Sequence, residues 1–200
     1  MTIADAFDFT GKTAVVTGGC GVLCFAIAKG LAEHGANVAL LDRLEERGQI
    51  CAEEIGPRAM AVYGDVLDRD GLVEAEAQVR AEFGPTSILV NCAGGNRAEA
   101  TTDEQRTFFD LPADVLRDVL DVNLLGTIMP TQVFGRGMAE RGDGVVVNIS
   151  SMSAFRPMTR VPAYSAAKAA VTNFTQWLAV YVAQEFSPGV RVNAIAPGFF

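Results

Sequence analysis

Six short runs dense in Val, Ile, Leu and Ala recur along the chain, at Thr13 to Thr17, Asn37 to Leu41, Ala59 to Tyr63, Ser87 to Asn91, Gly144 to Ile149 and Val190 to Ala196. Runs this short and this continuously apolar read as strands buried on both faces, because a strand with one wet face would alternate. The stretches between them fit helices: Leu72, Val79 and Phe83 repeat at one-face spacing, as do Val115, Val119 and Val122. Gly35 and Gly56 stand where a helix end favours a residue free to take positive φ. Strands alternating with helices imply parallel pairing with right-handed crossovers. The expected architecture is α/β, a doubly wound parallel sheet in three α/β/α layers, forming a single domain over residues 1–200. Its strand order should be 3-2-1-4-5-6, with ligands outside the carboxyl ends of the strands.

Composition narrows the partners. Half of the residues are apolar and the formal net charge is −8. An acidic average field repels nucleic acid and anionic membrane surfaces, which leaves a small molecule as the expected partner. No apolar run approaches the roughly eighteen residues of a spanning helix. Asp5 and Asp8 stand where a leader would be basic and then apolar, so a cytoplasmic protein is expected. Cys20, Cys24, Cys51 and Cys92 fall in a turn, in helices and at a buried strand end, with His34 the single imidazole. Neither a disulfide framework nor a metal site is expected from them.

After the first strand comes Thr17-Gly18-Gly19-Cys20-Gly21-Val22-Leu23-Cys24, opening a helix to about His34. Glycines keep such a turn tight and let backbone N–H groups and the helix N-terminus approach a pyrophosphate, the Rossmann-type arrangement. The third small position of the G-x-G-x-x-G pattern is Cys24, whose side chain should push against the pyrophosphate or the helix packing. Asp42 ends the second strand, where a carboxylate can accept from both hydroxyls of an adenosine ribose. The same charge repels a 2′-phosphate, so NAD is expected in preference to NADP, with Arg43 the residue that would accommodate the latter.

Tyr164 and Lys168 lie four apart on an Ala-rich helix and therefore on one face. Ser150 and Ser151 end the fifth strand, at the edge where this fold places its chemistry, and Asn123 lies in the preceding helix.

With these pieces the chain resembles the short-chain dehydrogenase/reductase family over nearly its whole length. The matching segments are Thr10-Gly11-Lys12, Thr17-Gly18, Asp65-Val66, Asn91-Cys92-Ala93-Gly94, Asn123, Ile149-Ser150-Ser151, Tyr164-Ser165-Ala166-Ala167-Lys168 and Arg191 through Pro197-Gly198, all in family order. The resemblance implies a catalytic set of Asn123, Ser151, Tyr164 and Lys168. It also implies adenine contacts from Asp65 and Val66, a cofactor lining from Asn91, Ala93 and Gly94, and Pro197 and Gly198 against the nicotinamide. Oxidising an alcohol needs a base for its proton while hydride leaves, and Tyr164 is the implied base. A free phenol titrates near 10. A lysine cation at about 4 Å supplies about 1 kcal/mol in water but about 4 kcal/mol at an effective dielectric near 20. Lys168 can therefore help only in a partly desolvated cleft. Ser151 would hold the substrate oxygen, and Asn123 would position a water in a proton relay.

The long polar loop from Gly94 to Pro112 leaves strand four on the ligand side and is expected to shape the substrate site. Asn96, Arg97, Arg156 and Arg160 are the candidates there, since an arginine fork in an acidic protein suits a carboxylate. Gly94-Gly95-Asn96, Asn123 through Gln132, Gln176 through Ala179 and Pro197 through Phe200 are similar to a branch described as D-mannonate oxidoreductases, in which Val22 also replaces the usual glycine. The expected activity is hydride transfer between a nicotinamide and a secondary alcohol or ketone, a sugar acid such as mannonate or fructuronate. A 3-oxoacyl type reductase or a non-catalytic nucleotide-binding protein are the alternatives. The helix of Tyr164 continues through Phe174, Trp177, Leu178, Val180, Tyr181 and Val182, apolar around much of its circumference, and a homodimer or homotetramer is expected. Family members continue past Pro197-Gly198 with a covering segment and another strand, so a sheet lacking its last strand and a poorly active 200-residue chain are expected.

Overall fold

The computed structural model describes residues 6–156 and 158–198; Asp5 and the Phe199-Phe200 pair lie outside them. Six strands form one sheet: β1 (Thr13–Thr17), β2 (Asn37–Asp42), β3 (Ala59–Tyr63), β4 (Ile88–Asn91), β5 (Gly144–Ile149) and β6 (Val190–Ile195). The order is β3-β2-β1-β4-β5-β6 and every pairing is parallel.

The continuous apolar runs are explained by the two cores, one on each face. Val15, Ala39, Leu41, Leu89 and Val146 point to one of them. There they meet Leu72, Ala75 and Val79 of α3 (Arg69–Phe83), Phe134 and Met138 of α5 (Gly126–Arg141), and Leu178 and Val182 of α6 (Pro162–Glu185). Ala14, Val16, Val38, Leu40 and Val90 point to the other, against α1 (Val22–Glu33) and α2 (Glu45–Ile55). Neighbouring residues on a strand thus serve opposite layers, as the pleat requires. Gly35 and Gly56 follow α1 and α2 with φ of 98° each, as a helix end favours.

The fourth helix, α4 (Ala113–Leu120), does not end before α5 begins. Five residues, Asp121–Leu125, join the two as a π-helical turn that carries Asn123. Such turns redirect side chains within an otherwise continuous helix.

Two glycine substitutions should act in opposite directions. Gly18 has φ of +62°, and a Cβ there would lie 2.9 Å from the Ala93 Cα, so Gly18→Ala should cost about 1–2 kcal/mol in backbone strain alone. Gly30 sits inside α1 with open space where its Cβ would go, so Gly30→Ala should stabilise by about 1 kcal/mol. Urea denaturation of the two variants checks both signs.

Candidate active site

Strand order brings the chemistry together. Because β1 lies between β2 and β4, the glycine turn after β1 is flanked by the carboxyl ends of both neighbours. The Gly18 N–H donates to the Leu41 carbonyl at 2.8 Å, and the Cys20 N–H donates to the Asp42 carboxylate at 3.1 Å. On the other side the Thr17 hydroxyl accepts from the Cys92 and Ala93 N–H groups at 3.0 and 3.1 Å. The result is a groove of about 270 Å³ lined by Gly18, Gly21, Asp42, Arg43, Asp65, Val66, Ala93 and Gly94, all residues anticipated from the sequence. Thr17, Gly19 and Asn91 are buried beneath it, whereas Val22 is exposed at the start of α1. Arg47 and Val122 also line the groove and were not anticipated, since no short motif marks them.

Asp42 accepts a second bond, from the Leu44 N–H at 3.1 Å. An ionised carboxylate has about four acceptor sites, so capacity remains for a ligand. Arg43 stands 3.8 Å from the Asp65 carboxylate, which partly neutralises the cation beside the groove.

At the ends of β5 and β6 the two serines separate in role. The Ser150 hydroxyl lies 2.6 Å from that of Thr172 and 3.2 Å from the Lys168 carbonyl, so it ties the strand to α6. The Ser151 oxygen accepts the Ser153 N–H at 3.1 Å, and that bond leaves its own proton to donate elsewhere. The Ser150 N–H donates to the Ile195 carbonyl and the Met152 N–H to that of Pro197, which holds Pro197-Gly198 beside Ser151.

Tyr164, with Val115 and Leu116, packs against a small cluster of Ala100, Val119 and Ala163. Lys168 is 4% exposed, and its ammonium donates to the Ile149 carbonyl at 2.7 Å and lies 5.6 Å from the centre of the Tyr164 ring. Burial lowers its pKa from 10.5 to about 8. This is the desolvated cleft that the electrostatic argument required.

Asn123 is fully buried and its amide is engaged. Nδ2 donates to the carbonyls of Gly95 (2.7 Å) and Val119 (2.8 Å), while Oδ1 accepts the Gly95 N–H (3.1 Å). Both donors are spent, so the side chain can meet a water only through the remaining lone pair of Oδ1. A Cβ on Gly94 would fall 2.5 Å from Oδ1 and 3.5 Å from the Lys168 Nζ, a space that no other residue would leave open.

The candidate substrate residues lie in the loops that follow β4 and β5. The Asn96 amide donates within its own loop, to Arg97 O and Thr101 Oγ1. Arg97 lies 3.6 Å from Asp118. Asp103 has its carboxyl held below the usual range first by the Gln105 and Arg106 N–H groups, then by the charges of Arg106 and Arg160. Arg160 thus has an acidic neighbour, and Arg156 is exposed. The 94–112 loop is tied to the segment before α6, through Thr102 N–H to Arg160 O at 2.9 Å.

The cysteines correct the sequence reading. Cys24 and Cys92 are joined by a disulfide, which composition and spacing did not lead one to expect. The reason lies in the sheet: β4 pairs with β1, so its end meets the first turn of the helix that follows β1, across 68 residues of sequence. Cys24 is buried in the core on that face of the sheet and also lines the groove. Among the described residues no cluster could hold a metal ion, and no helix is long and apolar enough to cross a membrane.

A desolvated Lys one turn from a Tyr, bonded to the strand end that leads into a serine with a free proton, is a site for moving a proton at a hydroxyl. The short chain dehydrogenase family model matches residues 12–200, and the chain belongs to that family of oxidoreductases. The uncharacterized oxidoreductase UxuB of Bacillus subtilis is 47% identical over 204 residues, covering 96% of this chain and 72% of that protein. The 5-keto-D-gluconate 5-reductase of Escherichia coli K12 is 31% identical, covering 98% of this chain and 74% of its own. A crystal structure from Haemophilus influenzae, provisionally described as a D-mannonate oxidoreductase with bound NAD, superposes with a TM-score of 0.92 at 44% identity, covering 100% of this chain and 75% of that one.

Proposed function

We propose that the chain interconverts a secondary alcohol of a sugar acid with the corresponding ketone, using NAD. The observation that carries this is the buried Lys168 ammonium, 5.6 Å from the Tyr164 ring, held by the Ile149 carbonyl two residues before Ser151 and 3.5 Å from where a Cβ on the groove residue Gly94 would lie. The names of the gluconate and mannonate relatives support the substrate class.

The groove fits a dinucleotide because it runs from the glycine turn at the start of α1 past the Asp42 carboxylate to Asp65 and Val66 on one side and to Ala93 and Gly94 on the other; Gly18 and Gly94 are glycine because a Cβ would strike Ala93 or Asn123. Gly18, Gly19 and Gly21 would let the pyrophosphate come close to the start of α1, Asp42 would hold the ribose, and Asp65 and Val66 the adenine. Ala93, Gly94, Lys168, Pro197 and Gly198 would border the nicotinamide half. NAD, when bound, supplies the hydride acceptor for oxidation and, reduced, the donor for reduction. Tyr164 takes the alcohol proton, or returns it to the ketone oxygen. Ser151 donates its free proton to the same oxygen. Lys168 has two N–H groups left after Ile149, and burial keeps its charge from being screened. Asn123 acts by holding the Gly94-Gly95 backbone in place.

The test is a nicotinamide absorbance assay with sugar acids and with 3-oxoacyl thioesters. Turnover is expected with an aldonate or its keto form; reduction of thioesters alone would refute the substrate class. Asp42→Ala should shift the NAD to NADP preference by about tenfold or more, since a carboxylate near a 2′-phosphate is worth about 1–4 kcal/mol of repulsion. Binding titrations with both dinucleotides read it.

The chain is also proposed to self-associate. Phe174, Trp177 and Tyr181 stack along α6, with Trp177 57% exposed, over an apolar groove shared with α5. Light scattering at micromolar concentration should give a dimer or tetramer mass, and a monomer mass would count against it.

A further inference from the structure

We infer that Cys24 and Cys92 are a thiol–disulfide site built into the cofactor groove, which exchanges with low-molecular-weight disulfides and thereby sets how tightly the groove holds the dinucleotide. The inference rests on the NAD reading above.

Cys24 lies in the first turn of α1 and Cys92 just past β4, with Cα atoms 5.9 Å apart, inside the range a disulfide spans. Both residues line the groove together with Gly18, Gly21, Ala93 and Gly94. Dinucleotide folds reserve the Cys24 position for a small residue so that the helix can pack close to the strand ends. Here that close approach is made covalent. The Cys24 sulfur sits 3.4 Å from where a Cβ on Gly21 would be, so it backs directly onto the turn. At the other end, the Thr17 hydroxyl binds the N–H groups of Cys92 and Ala93, so the disulfide reaches the same backbone that forms the groove's far wall.

Opening the bond has a steric consequence. Two bonded sulfurs lie about 2 Å apart, whereas unbonded ones need roughly 3.5 Å or more. Cys24 is 8% exposed and packed among Ala14, Val16 and Ala28, which leaves it little room to retreat. Cys92 is only half-buried. The added separation falls on the turn and on Cys92 to Gly94, which are groove walls. The dithiol therefore presents a displaced cradle and binds the dinucleotide more weakly than the disulfide does.

The exchange balances without any further reagent. Cys92, the sulfur reachable from the groove, attacks a small disulfide R–S–S–R as its thiolate, forming a mixed disulfide and releasing one R–SH. Cys24 then displaces the second R–SH and closes the bond. The two protein thiols lose two electrons and two protons, and both go to the two R–SH products. Cys20 and Cys51 stay out of the exchange because both are buried. In addition, burial, then the charge of Asp42 and the neighbouring Cys51, pushes the Cys20 thiol up to about 12.

Whole protein is prepared with dithiothreitol or with oxidised glutathione, and the two states are distinguished by mass and by a thiol count that falls from four to two. Calorimetric titration with NAD should then give a Kd at least about fivefold lower for the oxidised state. Linkage adds a second reading: saturating NAD should raise the glutathione exchange constant by the same factor. Cys92→Ser and, separately, Cys24→Ser should make NAD affinity indifferent to either reagent. Equal affinities within about twofold, or a thiol count that oxidised glutathione leaves at four, would overturn the inference. NAD binding to neither state would instead remove the cofactor reading, and this inference with it.

Discussion

Tyr164→Phe is expected to lower kcat for aldonate oxidation by about a thousandfold while leaving NAD affinity within about twofold. The size follows from the loss of a positioned acid–base group, worth about 10² to 10⁴ in rate. The selectivity follows from packing: the ring packs against the cluster of Ala100, Val119 and Ala163, contacts that Phe keeps, and only the hydroxyl is removed. Stability should therefore change by less than about 1 kcal/mol. Steady-state kinetics and calorimetry on one preparation separate the two effects. A variant retaining more than about a tenth of wild-type kcat would mean that another group carries the proton.

Lys168→Met is expected to be comparably damaging to turnover, and it also exposes what the site costs the fold. Desolvation lowers the folded-state pKa of Lys168 from 10.5 to about 8. Below about pH 8 the amine is charged in both states, and the folded protein carries the full cost of burying that charge. Between pH 8 and 10.5 the folded state gives up its proton first, so the unfolded state binds more protons and stability rises with pH. At about 1.4 kcal/mol per unit, the window is worth about 3 kcal/mol. Met has no titration there. The difference in unfolding free energy between wild type and variant should move by about 3 kcal/mol in favour of Lys168 from pH 7 to pH 11, in denaturant titrations. Loss of the hydrogen bond to Ile149 offsets part of the gain that Met brings at neutral pH, but it does not depend on pH in the same way. A difference that stays flat across the window would show that the amine reaches solvent.

The strands were legible because burial on both faces leaves no alternation to misread. β1, β3 and β5 run between the residues expected, while β4 begins at Ile88 and β6 ends at Ile195, each one residue inside its run. Parallel order then followed from the alternation of strands and helices, and with it the positions of Asp42, Ser151 and Gly94 at carboxyl ends. Tyr164 and Lys168 could be placed on one face because helical spacing is local.

What the chain alone determined is thus whatever depends on neighbours a few residues away: the strand limits, the glycine turn and the Tyr164–Lys168 face. Tertiary structure decided everything that needed a partner from a distant segment. Thr172 occupies Ser150 and leaves Ser151 free, Gly95 and Val119 take both donors of Asn123, and Asp118 stands beside Arg97. The same holds for the buried amine, since Lys168 is bonded to the Ile149 carbonyl at the end of β5, and for Cys24 and Cys92, two unremarkable residues in sequence. Sheet order carries these contacts across tens of residues, and hydrogen-bonding capacity and burial are properties of the completed contact, with no periodic trace in the chain that makes it.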